Sequence, residues 1–118
     1  MPTSTGDVPA PARGEIWIVD LDKRRPAVVM HRDIAGQLLS AVLVAPVTTS
    51  VRDLPTFVRL GPVDGLDRDC AASLDNLTLA SRTRFVARVG TVSRARMDEL
   101  CAALAVAVGC PPPHAGAR

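Results

Sequence analysis

The feature that most constrains this chain is a series of short apolar runs, rich in valine and isoleucine and separated by turn-forming residues, with one uncharged helical stretch after them. Residues 15–20 (EIWIVD) alternate polar and apolar, the period of a half-buried strand. Residues 26–31 (PAVVMH) and 41–47 (AVLVAPV) are almost continuously apolar, as strands buried on both faces are. Pro46 has no N–H to give a neighbour, so it belongs at an edge, a bulge or a strand end. Residues 56–60 (TFVRL), 71–74 (AASL) and 88–92 (RVGTV) complete the predicted strands. Short strands between turns describe a small barrel.

The helix is predicted to start at Ser93, a good N-cap, and to stop at Gly109, a good C′ residue. Met97, Leu100, Cys101, Leu104, Ala105 and Val108 fall at helical spacing on one side. Ala102, Ala103, Val106 and Ala107 make the other side apolar too, with no charge from Leu100 to Val108. Either this is a core helix buried all round or, because a small barrel covers only one side of a helix, its second side meets another subunit.

A chain of 118 residues holds one domain. Proline-rich, weakly apolar ends mark residues 1–12 as a flexible arm and 111–118 as a flexible tail, leaving 13–110 as the folded unit. Fourteen basic residues against twelve acidic ones give a net charge of +2, which excludes polybasic binding by bulk charge, so any anion site must be local. The only aromatic residues are Trp17, Phe57 and Phe85, too few for a platform that stacks successive bases. Cys70, Cys101 and Cys110 have no CxxC spacing and, with only His31 and His114, make a poor zinc set. Reduced thiols acting as small apolar fillers fit better. The N-terminal residues lack the basic and apolar regions of a secretory signal, and no apolar run reaches the roughly 18 residues of a membrane span. A cytoplasmic protein is expected.

Four segments can carry chemistry. Asp20, Asp22, Lys23, Arg24 and Arg25 lie between the first two strands, with Arg32 and Asp33 beyond the second. Pro26 biases Arg25 to extended backbone, which suits a guanidinium held out as a bidentate phosphate clamp; alternatively the cluster is a solvated turn paired with its own aspartates. Thr48, Thr49 and Ser50 follow a buried strand, where hydroxyls bind phosphate oxygens or close a turn. Asp67, Arg68 and Asp69 form a charged turn before Cys70, and the amide of Asn76 can read a base edge or cap a turn.

Taken in order, these segments resemble the MazF/PemK (Kid-like) family of toxin endoribonucleases. RGEIWIVDLD at residues 13–22 is similar to the family's opening strand, RPAVVMHRD at 25–33 to its second, VLVAPVTTS at 42–50 to its third and LPTFVRL at 54–60 to its fourth. GLDRDCAASLDNL at 65–77 is similar to a segment that usually reads GLxxDSxxxxxQI, and residues 89–110 to the final strand and helix. The resemblance implies a mainly β fold with a C-terminal α-helix, an SH3-like barrel of the MazF/CcdB type, and a homodimer. It further implies a toxin of a type II toxin–antitoxin system that cleaves single-stranded RNA sequence-specifically and without metal or cofactor, by attack of the ribose 2′-hydroxyl on the adjacent phosphate. The products are a cyclic phosphate and a 5′-hydroxyl, and a cognate antitoxin inhibits the enzyme.

On this resemblance Arg25 and Thr48 are the catalytic pair, and Arg24, Arg32, Thr49, Ser50, Asp69, Asn76 and Arg84 are RNA-binding candidates. Arginine is a poor general base, so Arg25 is expected to act as an electrostatic clamp. His31 lies six residues along the strand, where the family uses no histidine. The chain departs from the family pattern in a short loop between its first two strands, in Cys70 for the usual serine, in Asn76 for glutamine and in Thr78 for a frequent arginine. Two other uses of such a chain are a non-catalytic toxin that binds DNA gyrase, like CcdB, and a degenerate member that retains only antitoxin binding.

Overall fold

The computed structural model describes residues 9–33 and 38–110. Among the described residues seven antiparallel strands are followed by a C-terminal helix: β1 (Glu15–Asp20), β2 (Arg24–Val29), β3 (Ala41–Thr48), β4 (Phe57–Leu60), β5 (Cys70–Ser73), β6 (Thr78–Ser81), β7 (Phe85–Thr91) and α1 (Arg94–Ala107). The strand order is β4-β5-β3-β2-β1-β7, with β6 also pairing with β3. Six of the strands lie where the sequence places them. β6 (TLAS) was not expected, because its four residues show neither a clear alternation nor an apolar run.

Strand β3 organises the sheet. One edge pairs with β2, whereas its other edge pairs first with β6 at residues 41–44 and then with β5 at Val47 and Thr48. Pro46 sits at this change of partner. The Met30 N–H donates to the Leu43 carbonyl, so the odd-numbered residues of β3 turn their polar groups to β2. Pro46 therefore directs its missing N–H into the gap between β6 and β5, where no ladder bond is lost.

The first three strands bury both faces. Ile16, Val28, Ala45, Val47, Leu60 and Leu74 pack on one side with Leu100 and Ala103 of α1; Val19, Ala27, Val29, Val42, Val44, Ala80 and Phe85 pack on the other. Trp17 meets Phe85 edge to face at 5.8 Å in the second layer. Two-sided burial explains why residues 26–29 of β2 and 41–47 of β3 are apolar without interruption.

No ladder joins β4 to β7, so the expected barrel is an open sheet. A 3-10 turn at Pro62–Asp64 bridges its ends by packing. A Cβ placed on Gly90 of β7 would lie 2.0 Å from the Asp64 carbonyl oxygen, and one on Gly65 would lie 2.5 Å from the Val89 carbonyl oxygen. Gly65 also has φ +101°, which disfavours any side chain. The buried Asp64 carboxylate accepts the Gly61 N–H at 2.9 Å and faces Arg96 of α1 at 3.6 Å. The turn thus ties sheet to helix.

The helix begins as expected: Ser93 Oγ accepts the Arg96 N–H at 3.1 Å, and Gly109 beyond the end takes φ +76°. Its inner side buries Leu100 and Ala103, while Ala102 and Val106 are exposed. Of the expected N-terminal arm, residues 1–8 lie outside the described residues, as does the tail at 111–118. Pro9 to Ala12 are anchored, with the Pro9 carbonyl accepting from Arg82 Nε at 2.6 Å and Pro11 fully buried. Burial would raise the pKa of Glu15, but bonds from the Ala12 N–H, Trp17 and Arg88 outweigh it and hold the carboxyl below its ordinary value. Burial, reinforced by Asp64, Asp67 and Asp69, pushes the Cys70 thiol up, as suits an apolar filler. Among the described residues, no helix is long and apolar enough to cross a membrane.

Candidate active site

The register of β2 and β3 brings the two expected catalytic residues together. The β2–β3 ladder ends at Ala27 and Pro46, and continuing that register by two residues puts Arg25 opposite Thr48. Side chains opposite one another in an antiparallel pair share a face and have Cβ atoms about 5 Å apart. Both line one open cleft of about 700 Å³.

Arg25 is fixed at its base by the strand and by Pro26, and its guanidinium Nη2 donates to Asp22 Oδ2 at 3.1 Å. That partner is a loop carboxylate, 72% exposed, and Arg25 Nε is buried with no hydrogen-bond partner among the described residues. The cation is therefore not locked in an internal ion pair, since a surface bridge of this kind is worth about 0–1 kcal/mol and an incoming phosphate can displace it. Thr48 Oγ1 accepts the Ser50 N–H at 3.0 Å. This bond closes the turn and leaves the hydroxyl hydrogen to be donated into the cleft. The turn reading and the ligand reading of Thr48 are compatible.

Of the other expected contacts, Ser50, Asn76 and Arg84 line the same cleft. Arg84 is steadied by a bond from Nη1 to the Asp20 carbonyl at 3.3 Å. Four do not line it. Thr49, one residue beyond Thr48, points to the opposite face, into a smaller hollow beside Val47, Leu66 and Cys70. Arg24 is likewise one residue from Arg25 and is paired with Asp20 at 2.7 Å. Arg32 is exposed beyond the far end of β2, and Asp69 lies beside Gly61 before β5. His31 is a structural residue: its Nδ1 accepts the Leu43 N–H at 3.0 Å, about 20 Å of strand away from Arg25.

The cleft also holds Arg52, Phe57 and Ser73, which sequence reasoning did not select. Arg52 carried the visible signal of a charge four residues after Thr48. Phe57 and Ser73 face one another across β4 and β5, a relation that only the register discloses. The cleft gathers three guanidinium groups, those of Arg25, Arg52 and Arg84, beside the carboxylates of Asp20 and Asp22. Among the described residues, no three His, Cys, Asp or Glu side chains gather as metal ligands.

Comparison with known proteins gives a consistent picture. The profile of the PemK-like, MazF-like toxins of type II toxin–antitoxin systems matches residues 12–108. The chain is 43% identical over 103 residues to the "Probable endoribonuclease MazF5" of Mycobacterium tuberculosis, an alignment spanning 85% of this chain and 94% of that protein. Its fold is similar to the Mycobacterium tuberculosis toxin MazF-mt6, with a TM-score of 0.79 at 31% identity over 82% of this chain and 98% of the other. It is equally similar to an endoribonuclease from a mycobacterial species in complex with its cognate antitoxin, with a TM-score of 0.78 at 30% identity over 88% and 100%.

Proposed function

The chain belongs to the PemK-like, MazF-like toxin family of type II toxin–antitoxin systems, and on that premise we propose how it acts as an endoribonuclease on single-stranded RNA. The observation that carries the reading is Arg25 opposite Thr48 on the wall of an open, arginine-bearing cleft. A phosphodiester entering the cleft takes the place of Asp22 on the Arg25 guanidinium. The ribose 2′-hydroxyl then attacks the adjacent phosphorus, and negative charge builds on the non-bridging oxygens. Arg25 offers N–H donors in a planar fork and Thr48 offers a hydroxyl donor, both positioned before the reaction begins. The bond to the 5′-oxygen breaks, leaving a 2′,3′-cyclic phosphate and a 5′-hydroxyl. The chemistry uses this chain's own side chains and calls for no metal.

A cognate antitoxin would silence the toxin by laying an acidic or amphipathic segment across the same cleft, competing for Arg25, Arg52 and Arg84. That a similar solved endoribonuclease is in complex with its cognate antitoxin supports the existence of such a partner. We further read the toxin as a cytoplasmic homodimer. Exposed Val86 and Val89 on the terminal strand β7 and exposed Val106 on α1 are apolar surface suited to a second copy. The gyrase-binding and degenerate alternatives lose ground to relatives named as endoribonucleases.

The test is incubation of the purified protein with a long RNA in EDTA. Discrete fragments with 5′-hydroxyl ends are expected, from protein of twice the monomer mass by light scattering. Intact RNA from a folded protein would overturn the catalytic reading, and a monomer would remove the dimer.

A further inference from the structure

The cleft extends beyond the catalytic pair, and its next rung is built differently. Continuing the pairing of β3 with β5 places Pro46 beside Ser73, and Ser73 in turn pairs with Phe57 on β4. All three line the cleft. Pro46 stands two residues from Thr48 along the strand, about 7 Å away. A flat apolar wall of a proline and an aromatic ring, one rung from a phosphate clamp, suits a single nucleobase.

One edge of this wall is polar. Ser73 is 2% exposed, yet it is a lining residue of the cleft, and its hydroxyl accepts from Asn76 Nδ2 at 2.8 Å. Among the described residues it donates to no acceptor, so its hydrogen is unspent. Asn76 follows Ser73 within a 3-10 turn and is exposed. With one amide N–H committed to Ser73, the order of open groups is serine O–H, amide N–H and amide carbonyl: two donors, then an acceptor. Cytosine presents the complement, with its O2 and N3 acceptors beside the exocyclic amine. Adenine matches two of the three groups. Uracil, whose N–H lies between two carbonyls, would need the amide reversed, which would turn its carbonyl towards Ser73 and consume the serine hydrogen.

We propose that Pro46, Phe57, Ser73 and Asn76 form a nucleobase subsite that selects cytosine, with adenine the next best match, and that Ser73 is the residue that positions the Asn76 amide. The inference rests on the ribonuclease reading of the cleft and adds its base preference. Phe57 supplies the stacking face and Asn76 the reading group. Ser73 touches both and sets the orientation on which the selection depends.

The experiment measures binding of hexamers of 2′-deoxycytidine and of 2′-deoxyuridine by fluorescence anisotropy. These oligomers lack the attacking hydroxyl and so stay intact, and they differ only in the base edge. The wild-type protein should bind the cytidine oligomer about tenfold or more tightly. In Ser73→Ala and in Asn76→Ala that ratio should fall towards one. Asn76 is exposed, so the second variant keeps the test valid should the first be poorly folded. Equal or reversed affinities in the wild type, failure to bind either oligomer, or an unchanged ratio in the folded variants would each overturn the subsite. The two readings fail separately. Discrimination without RNA cleavage would remove the nuclease and leave the subsite, whereas cleavage without discrimination would remove the subsite alone.

Discussion

Replacing Arg25 with alanine should lower the RNA cleavage rate by about 10²- to 10³-fold or more, with the melting temperature close to that of the wild type. The kinetic effect follows from position. Arg25 lines the cleft with Thr48 and carries N–H donors whose only partner among the described residues is an exposed loop carboxylate. The stability effect is small for the same reason, because losing a surface pair with Asp22 costs about 0–1 kcal/mol. Arg25→Lys should rescue little, since an ammonium is a point charge that cannot reproduce a bidentate fork. Single-turnover cleavage of a labelled oligonucleotide, read beside a thermal melt, checks both parts. Full activity in folded Arg25→Ala would contradict the assignment.

The second large effect concerns the closure of the sheet. Gly90→Ala would set a Cβ 2.0 Å from the Asp64 carbonyl oxygen and 3.0 Å from the Gly65 Cα, both of them backbone atoms that cannot rotate away. The Pro62–Asp64 turn must move, and with it the Asp64 carboxylate that holds the Gly61 N–H and faces Arg96. Overpacking of this kind costs roughly 2–3 kcal/mol or more. For a domain of this size that lowers the melting temperature by about 10–20 °C. Gly109→Ala is the control, because nothing lies within 4 Å of the added carbon and only the positive φ of +76° opposes it. It should cost about 1 kcal/mol. Thermal denaturation followed by circular dichroism separates the two, and equal melting temperatures would mean that the turn does not close the sheet.

What could be read from the sequence and what could not divide along physical lines. Strands buried on both faces announce themselves, which is why the runs at β2 and β3 were plain and the mixed TLAS of β6 was not. Pro46 was expected at an edge, a bulge or a strand end, and it lies instead inside β3, where the partner strand changes. That place depends on long-range pairing that no local pattern carries. Arg25 and Thr48 each had an equally natural reading as turn residues, and both readings hold: Arg25 bonds Asp22, and Thr48 bonds the Ser50 N–H. Family resemblance singled them out, and the register explains why they meet.

Alternation accounts for the expected contacts that lie elsewhere. Neighbours of a cleft residue in a strand point to the other face, so Arg24 beside Arg25 and Thr49 beside Thr48 lie off the cleft wall. This much was available from period-two reasoning applied residue by residue. Phe57 and Ser73 were not available, because a residue on β4 joins the site only through its partner on β5. The gathering of Arg52 and Arg84 with Arg25 was similarly hidden, since they come from segments far apart in the chain.

The central claim is that Arg25 and Thr48 stabilise attack by a ribose hydroxyl within the RNA itself. Two oligonucleotides, identical except for a 2′-hydrogen in place of the hydroxyl at the nucleotide 5′ to the cut, test it most directly when their products are weighed by mass spectrometry. The all-ribose strand should yield a 2′,3′-cyclic phosphate and a 5′-hydroxyl fragment, and the substituted strand should bind and remain whole. Cleavage of the substituted strand at that position, or fragments ending in 5′-phosphate, would contradict the account.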